Sequence, residues 1–303
     1  MMAHRNRPSG AIALAIALAV GLVAAPAASA QEAPICLKAA VKLSDKTEKW
    51  VGTNKRDSVT GLRGRDKLFG RKGNDFINGG RDNDVIYGGP GNDILCGGRG
   101  ADTIYGGPGN DIIYGEEEND TIIPGPGNDK VLGSAGDDKL FGYNRDQVRK
   151  GKPISDDGHD ILNGGFNDDL IIAGGDDELY GHTHNDVLRT MTPWIAPAVM
   201  DGGGNDDKLY GSDVDDVMSG GENGRDTLYG GPGNDTLRGL GNNDKLFGQA
   251  GDDKLFGGDG FDKLNGGEGY DFCDGGDLDD EAIDCEEVKN VPRLFWSVED
   301  MLP

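Results

Sequence analysis

Basic residues, aromatic residues and long apolar runs are all scarce in this chain, and each scarcity removes a class of protein. Lys and Arg number 30 against 54 Asp and Glu, a net charge of −24. A phosphate backbone therefore finds no general electrostatic attraction here, which excludes nucleic acid as a partner. Aromatic residues make up 7% and apolar residues 35% of the chain, too few for a single compact α/β enzyme core. Past residue 25 no apolar run is long enough to span a bilayer. No H-E-x-x-H helix and no G-x-S-x-G elbow is present. What is plentiful is glycine, 53 of 303 residues, where about 7% is usual. It shows no G-X-Y period of three, so collagen is excluded. Two readings remain: a disordered acidic chain, or a repeat fold that needs Gly and Asp at fixed places. Spacing separates them.

The first thirty residues stand apart. His4, Arg5 and Arg7 precede a run of mostly Ala, Ile, Leu and Val over residues 11–25, and Ala28-Ser29-Ala30 supplies an A-x-A site. This is a secretory signal pattern over 1–30. The run is short for the roughly 20 residues of a membrane span, and its cleavage leaves no segment for membrane insertion.

The rest is periodic. Asp57, Asp66, Asp75, Asp84, Asp93, Asp102, Asp111, Asp120, Asp129 and Asp138 stand nine apart, and Asp146 follows after eight. Beyond an insertion come Asp160, Asp169, Asp177 and Asp186. A second insertion, containing Met191-Thr192-Pro193-Trp194, precedes Asp207. Asp216, Asp226, Asp235, Asp244, Asp253, Asp262, Asp271 and Asp280 complete the series. An aliphatic residue stands two places after nearly every Asp, as in Ile77, Ile86, Leu95 and Ile104, until Cys273 breaks the rule. Gly-Gly pairs follow at four and five places, as in Gly88-Gly89 and Gly97-Gly98. Disorder does not place an aliphatic in register with each Asp.

The period has a physical reading. Each nine-residue unit is a short x-U-x strand, its central aliphatic pointing inward, joined to a Gly-rich turn. Two units close an 18-residue coil with a strand on each side. About 12 such coils, stacked at about 4.8 Å, span roughly 55–60 Å. The Asp residues then stack in columns. Two carboxylates 5 Å apart repel by about 0.8 kcal/mol even at the dielectric of water, so the columns need counter-charge. Lys67, Lys139, Lys208 and Lys254 supply some, but the units over Gly88–Tyr114 have no Lys. A bound cation is the remaining candidate. Carboxylates and turn carbonyls are hard oxygen ligands that suit Ca²⁺, and a repeat without His or Cys fits Zn²⁺ and Cu²⁺ poorly.

These units resemble the G-G-x-G-x-D-x-U-x nonapeptide of RTX, or haemolysin-type, calcium-binding proteins. Complete G-G-x-G-x-D turns stand at Gly88–Asp93, Gly97–Asp102, Gly106–Asp111, Gly230–Asp235, Gly257–Asp262 and Gly266–Asp271. The resemblance covers residues 52–286 and implies a parallel β-roll with several Ca²⁺ ions held between turns on one edge. Turns on one edge are 18 residues apart, so Asp75 is expected beside Asp93, Asp84 beside Asp102, Asp93 beside Asp111, Asp111 beside Asp129, and Asp253 beside Asp271. The expected metal ligands are Asp75, Asp84, Asp93, Asp102, Asp111, Asp129, Asp226, Asp235, Asp253, Asp262 and Asp271. Turns that depart from the pattern include Gly61-Leu62-Arg63, Gly70-Arg71-Lys72, Gly115-Glu116-Glu117-Glu118 and Gly239-Leu240-Gly241-Asn242. Weak or absent Ca²⁺ binding is expected there.

Four Cys in a chain with a secretory pattern point to disulfides. The resemblance to small secreted members of the family implies the pairs Cys36–Cys96 and Cys273–Cys285, which would pin caps onto the open ends of the roll. His182-Thr183-His184 reads as a degenerate turn, since no third metal ligand is nearby. Phe69, Tyr87 and Tyr105, with Tyr180, Tyr210, Tyr229, Phe247 and Phe256, recur three places after Asp and form an outward aromatic stripe.

The expected fold is all-β, a parallel β-roll (β-solenoid) of stacked 18-residue coils with short end caps. The expected organisation is a signal peptide at 1–30, an N-terminal cap at 31–51 and roll repeats at 52–146. An insertion at 147–159, irregular repeats at 160–188 and a second insertion at 189–206 follow. Roll repeats at 207–285 and a C-terminal cap or tail at 286–303 complete it. The leading function is a secreted, non-enzymatic calcium-binding protein that folds on Ca²⁺. The alternative is a cell-surface or matrix adhesion protein that binds glycan, cell wall or a protein partner through the aromatic stripe and the 189–206 insertion. A toxin or hydrolase accessory protein is less favoured, because no catalytic constellation is present.

Overall fold

The structure, a computed structural model, describes residues 36, 41–142, 159–174, 177–191, 197–276 and 280–290. The chain divides into residues 1–37, of which Cys36 is described, and residues 38–303. The expected signal peptide, Asp146 and Trp194 lie outside the described residues.

The described residues of 38–303 form a parallel β-roll. Its described strands make two sheets, one of 14 strands from Val41–Lys42 to Glu287–Lys289 and one of 13 from Lys49–Val51 to Glu281–Ile283. The chain alternates between the sheets, so each strand pairs with the strand one coil earlier and one coil later, always in parallel. Ile77 pairs with Leu95 and Leu95 with Ile113 in the first sheet. Ile86 pairs with Ile104 in the second. The two-residue alternation of a strand turns one aliphatic inward per unit. Ile77, Leu95 and Ile113 from the first sheet and Ile86, Ile104 and Ile122 from the second are wholly buried in one continuous core. That core is one side chain thick from each sheet. Each such burial contributes about 1.5–3 kcal/mol. Among the described residues no helix is long and apolar enough to cross a membrane.

The roll is longer than its Asp signature. Val41 pairs with Val59, and Trp50 pairs with Leu68 and packs against the core. The first coil therefore lies inside the segment expected to be an N-terminal cap, where no Asp-x-aliphatic pattern marks it. At the other end Cys273 pairs with Val288, so the strand Glu287–Lys289 belongs to the roll and not to a tail. Cys273 is joined to Cys285 in a disulfide. Cys36 and Cys96 are disulfide-bonded as well.

The second insertion is also narrower than 189–206. Arg189 and Thr190 continue a strand paired with Ile172 and Ala173. Val199–Gly204 is a regular strand of the first sheet, paired with Glu178–Thr183 and Val217–Asn223. Residues 191–197 separate Thr190 from Ala198. The strand Val199–Gly204 was hidden because Ala198 stands where the repeat has Asp. The segment 160–188, expected to be irregular, keeps its pairing throughout and is short by one residue per coil. Of the first insertion, 147–159, only His159 is described, and it lies 3.4 Å from Glu178. The rung that follows Asp138 along the described chain is Asp160.

The expected aromatic stripe is split: Tyr180 and Phe256 lie on the first sheet, and the remaining rings stack along the outer face of the second. Phe69 and Tyr87 stand 4.8 Å apart and Tyr87 and Tyr105 4.7 Å apart, both pairs nearly parallel. Tyr210, Tyr229 and Phe247 repeat the arrangement. Lys49 covers the free face of Phe69 and Arg189 that of Tyr210. Phe69, Tyr87, Tyr210 and Tyr229 have both faces against a ring or a cation, so a sugar that stacks on one of these would first have to open the stack.

A core one residue deep tolerates little loss. Ile104→Ala is expected to destabilise the calcium-loaded protein by about 2–5 kcal/mol, and the outward neighbour Thr103→Ala by under about 0.5 kcal/mol. Denaturant unfolding of both variants checks this.

Candidate metal centre

The turns line the two edges of the roll, and their Asp side chains divide into two columns. One column holds Asp57, Asp75, Asp93, Asp111, Asp129, Asp160, Asp177, Asp216, Asp235, Asp253 and Asp271. The other runs from Asp66 through Asp84, Asp102 and Asp120 to Asp280. All but Asp57 are buried. The contacts repeat coil by coil. The backbone N–H of Asp75 donates to Oδ1 of Asp93 at 2.7 Å, and that of Asp93 to Oδ1 of Asp111 at 2.8 Å. The carbonyl of Asp75 accepts from the N–H of Ile94 at 2.8 Å. Each Asp thus fixes the coil before it, as the 18-residue rule required for Asp84 with Asp102, Asp111 with Asp129, and Asp253 with Asp271.

This leaves the second carboxylate oxygen. Oδ2 of Asp75, Asp84, Asp93, Asp102, Asp111, Asp226, Asp235, Asp253, Asp262 and Asp271 is buried with no hydrogen-bond partner. A buried carboxylate oxygen without partner costs several kcal/mol when ionised, more than the single aliphatic of its unit contributes. The carboxyl groups respond by holding their protons. Burial pushes Asp93 up to about 7, and the amide of Asp75 counters it in part. Burial likewise raises Asp84 and Asp111 to about 8 and Asp120 and Asp186 to about 9.

The residues around each lone oxygen are oxygen donors. A Cβ added to Gly88 would strike both Asp93 Oδ2 and the Gly106 carbonyl, and one on Gly97 would strike Asp102 Oδ2 and the Gly115 carbonyl. Gly230 stands in the same relation to Asp235 Oδ2 and the Gly248 carbonyl. The first glycine of each turn keeps this oxygen-lined cradle open. An all-oxygen donor set with orphaned carboxylates fits Ca²⁺.

The turns at Leu62, Arg71, Glu116 and Leu240 keep the positive φ of the glycine they replace. Glu116 and Glu118 take φ of 84° and 72° in the places of Gly98 and Gly100 one coil earlier, at 112° and 117°. Forcing L-residues there costs on the order of 1 kcal/mol each. Asp66, Asp75, Asp120 and Asp244, which close those turns, retain buried and partnerless Oδ2 atoms. His182 also occupies a turn-glycine place, paired with Gly165 and Gly203.

A second ladder was overlooked in the sequence. The N–H of Asn92 donates to Oδ1 of Asn74, Asn110 to Asn92, and Asn128 to Asn110, at 3.1–3.2 Å. It runs outside the Asp columns and in the opposite direction. The recurring Asn-Asp dipeptides, such as Asn74-Asp75 and Asn110-Asp111, were its signal. Glu286 was also missed: its Oε2 accepts from the N–H of Asp271 at 2.7 Å and ends that column.

A family model for the RTX calcium-binding nonapeptide repeat matches residues 51–86, 73–104, 87–122, 123–144, 154–188, 220–255 and 247–282. These matches cover more than half of the chain, which belongs to that family. It is a calcium-binding repeat protein, and its repeats imply several Ca²⁺ ions. A search of curated proteins returns no match.

The raised carboxyl values set the pH behaviour of the metal-free roll. An Asp whose folded value lies above its unfolded value of about 4 favours folding fully below that unfolded value. The contribution fades as pH rises through the folded values of about 6 to 9. Calcium-free protein is therefore expected to keep more β-structure at pH 5 than at pH 8.5, as followed by circular dichroism. A stronger β-spectrum at pH 8.5 would contradict the assignment.

Proposed function

We propose that this is a secreted, non-enzymatic protein whose β-roll folds when it meets calcium outside the cell. The observation that carries the reading is the row of buried carboxylates with one oxygen satisfied by a neighbouring coil and one left for a cation. Ionised and without metal, each rung opposes folding by more than its aliphatic contributes. Calcium supplies the counter-charge when bound, and its binding free energy becomes folding free energy. Asp75, Asp84, Asp93, Asp102, Asp111, Asp129, Asp226, Asp235, Asp253, Asp262 and Asp271 are the proposed ligands, each holding a carboxylate in place through the amide of the coil before it. The turn glycines keep the oxygen cradles open, and the paired sheets exclude water from the inner side.

The secretory pattern at 1–30, the disulfide-bonded cysteines and family membership support an extracellular, structural role. Extracellular calcium modules bind at about 10⁻⁴–10⁻³ M, a range that keeps the chain unfolded where calcium is scarce.

The test is circular dichroism of the purified protein during calcium titration. A β-rich spectrum should appear with a midpoint of about 10⁻⁴–10⁻³ M calcium and vanish on chelation. A β-rich spectrum that chelator leaves unchanged would overturn the reading. Gly88→Ala, which fills one cradle, should lower the number of calcium ions bound while leaving the spectrum at saturating calcium close to wild type.

A further inference from the structure

Not every rung has the partnerless oxygen. Oδ2 of Asp216 accepts from the backbone N–H of Ser212 at 2.7 Å and from its hydroxyl at 3.0 Å. Oδ2 of Asp57 accepts from the N–H of Thr53 at 2.6 Å and from its hydroxyl at 3.0 Å. In the first coil Ser44 binds the carboxylate of Glu48 by the same two groups. All three are Ser or Thr four places before the acid. In each the chain itself fills the place that counter-charge fills elsewhere.

The turn backbone differs accordingly. In complete G-G-x-G-x-D turns the second glycine takes positive φ, 104° at Gly89 and 113° at Gly107. Its amide reaches across to the next coil, from Gly89 to the Gly106 carbonyl at 2.8 Å and from Gly107 to the Pro124 carbonyl at 2.7 Å. Ser212 and Thr53 are not among the positive-φ residues, and their amides fold back onto their own acid.

Two of these self-capped turns begin the roll, Ser44–Glu48 on one edge and Thr53–Asp57 on the other. The third, Ser212–Asp216, lies deep inside it. Its surroundings on that edge match a beginning. The place one coil before Asp216 is Ala198, whose N–H donates to Asp216 Oδ1 at 2.7 Å but which has no carboxylate of its own. One coil earlier still, Oδ2 of Asp177 accepts from the N–H of Gly174 at 3.1 Å. The opposite edge is uninterrupted there, since Asp186, Asp207 and Asp226 follow one another with partnerless Oδ2 atoms.

We infer that one edge of the roll carries two separate calcium columns divided by a metal-free seam at Asp177, Ala198 and Asp216, with Ser212 starting the second column as Thr53 starts the first. This rests on the calcium-binding reading above. The seam takes up no ion on that edge, and in the folded roll its turn is held by protein donors.

Hydrogen exchange read by mass spectrometry tests the seam in the wild-type protein at saturating calcium and at calcium lowered to just above the folding midpoint, where the roll is still formed. On that lowering, peptides covering Gly88–Asp93 and Gly230–Asp235 should lose protection by at least about tenfold more than the peptide covering Gly211–Asp216. Equal loss in all three overturns the seam. No calcium-dependent change anywhere overturns the calcium reading instead. The double variant S212G/V214G rebuilds a complete G-G-x-G-x-D turn over 211–216. Native mass spectrometry should find one more calcium ion on it than on wild type, and an unchanged count overturns the seam.

Discussion

The structure depends on how one aspartate divides its two oxygens. Oδ1 binds the backbone amide of the coil before it and sets the coil-to-coil register. In most rungs Oδ2 faces a carbonyl oxygen across the cradle and is buried without a hydrogen-bond partner. Neither half works alone. Without the amide the carboxylate would not stay at the edge of the core, and without counter-charge it would not stay ionised there. Burial pushes Asp84 and Asp111 up to about 8, which measures how strongly the protein resists a bare charge at these places.

The core cannot outweigh that resistance. Each unit contributes one inward aliphatic, such as Ile86 or Ile104, and buries one carboxylate, such as Asp84 or Asp102. In most globular domains the balance runs the other way, with buried charges rare and paired. Here the apolar and ionic layers have the same period and nearly the same number of members. The apolar layer fills the space between the sheets and the carboxylates line its two edges.

Much of this was legible in the sequence because a two-residue strand alternation and a nine-residue period leave marks on every unit. Asp93 and Asp111, 18 apart, were expected to be neighbours and are. The unread parts are those where the mark is missing although the backbone continues. Trp50 stands in an inward aliphatic place, Ala198 in an Asp place and Glu286 in the final rung, and none of the three keeps the identity by which the repeat is recognised. The Asn ladder was visible as Asn-Asp dipeptides, but its direction depends on which of two amides 18 residues away lies in reach. The role of Ser212 depends on a negative rather than a positive φ, which residue identity suggests but only the backbone fixes.

The outer and inner ladders, like the sheets, all run along the axis of the roll, and this bears on its response to force. A pull along the axis loads one coil interface at a time, so the coils detach singly. Each 18-residue coil occupies about 4.8 Å of the axis and extends to about 60 Å as free chain. The roll is thus a store of length with a stretch ratio above about ten, and the strength of the coil-to-coil contacts sets the tension at which that length is released.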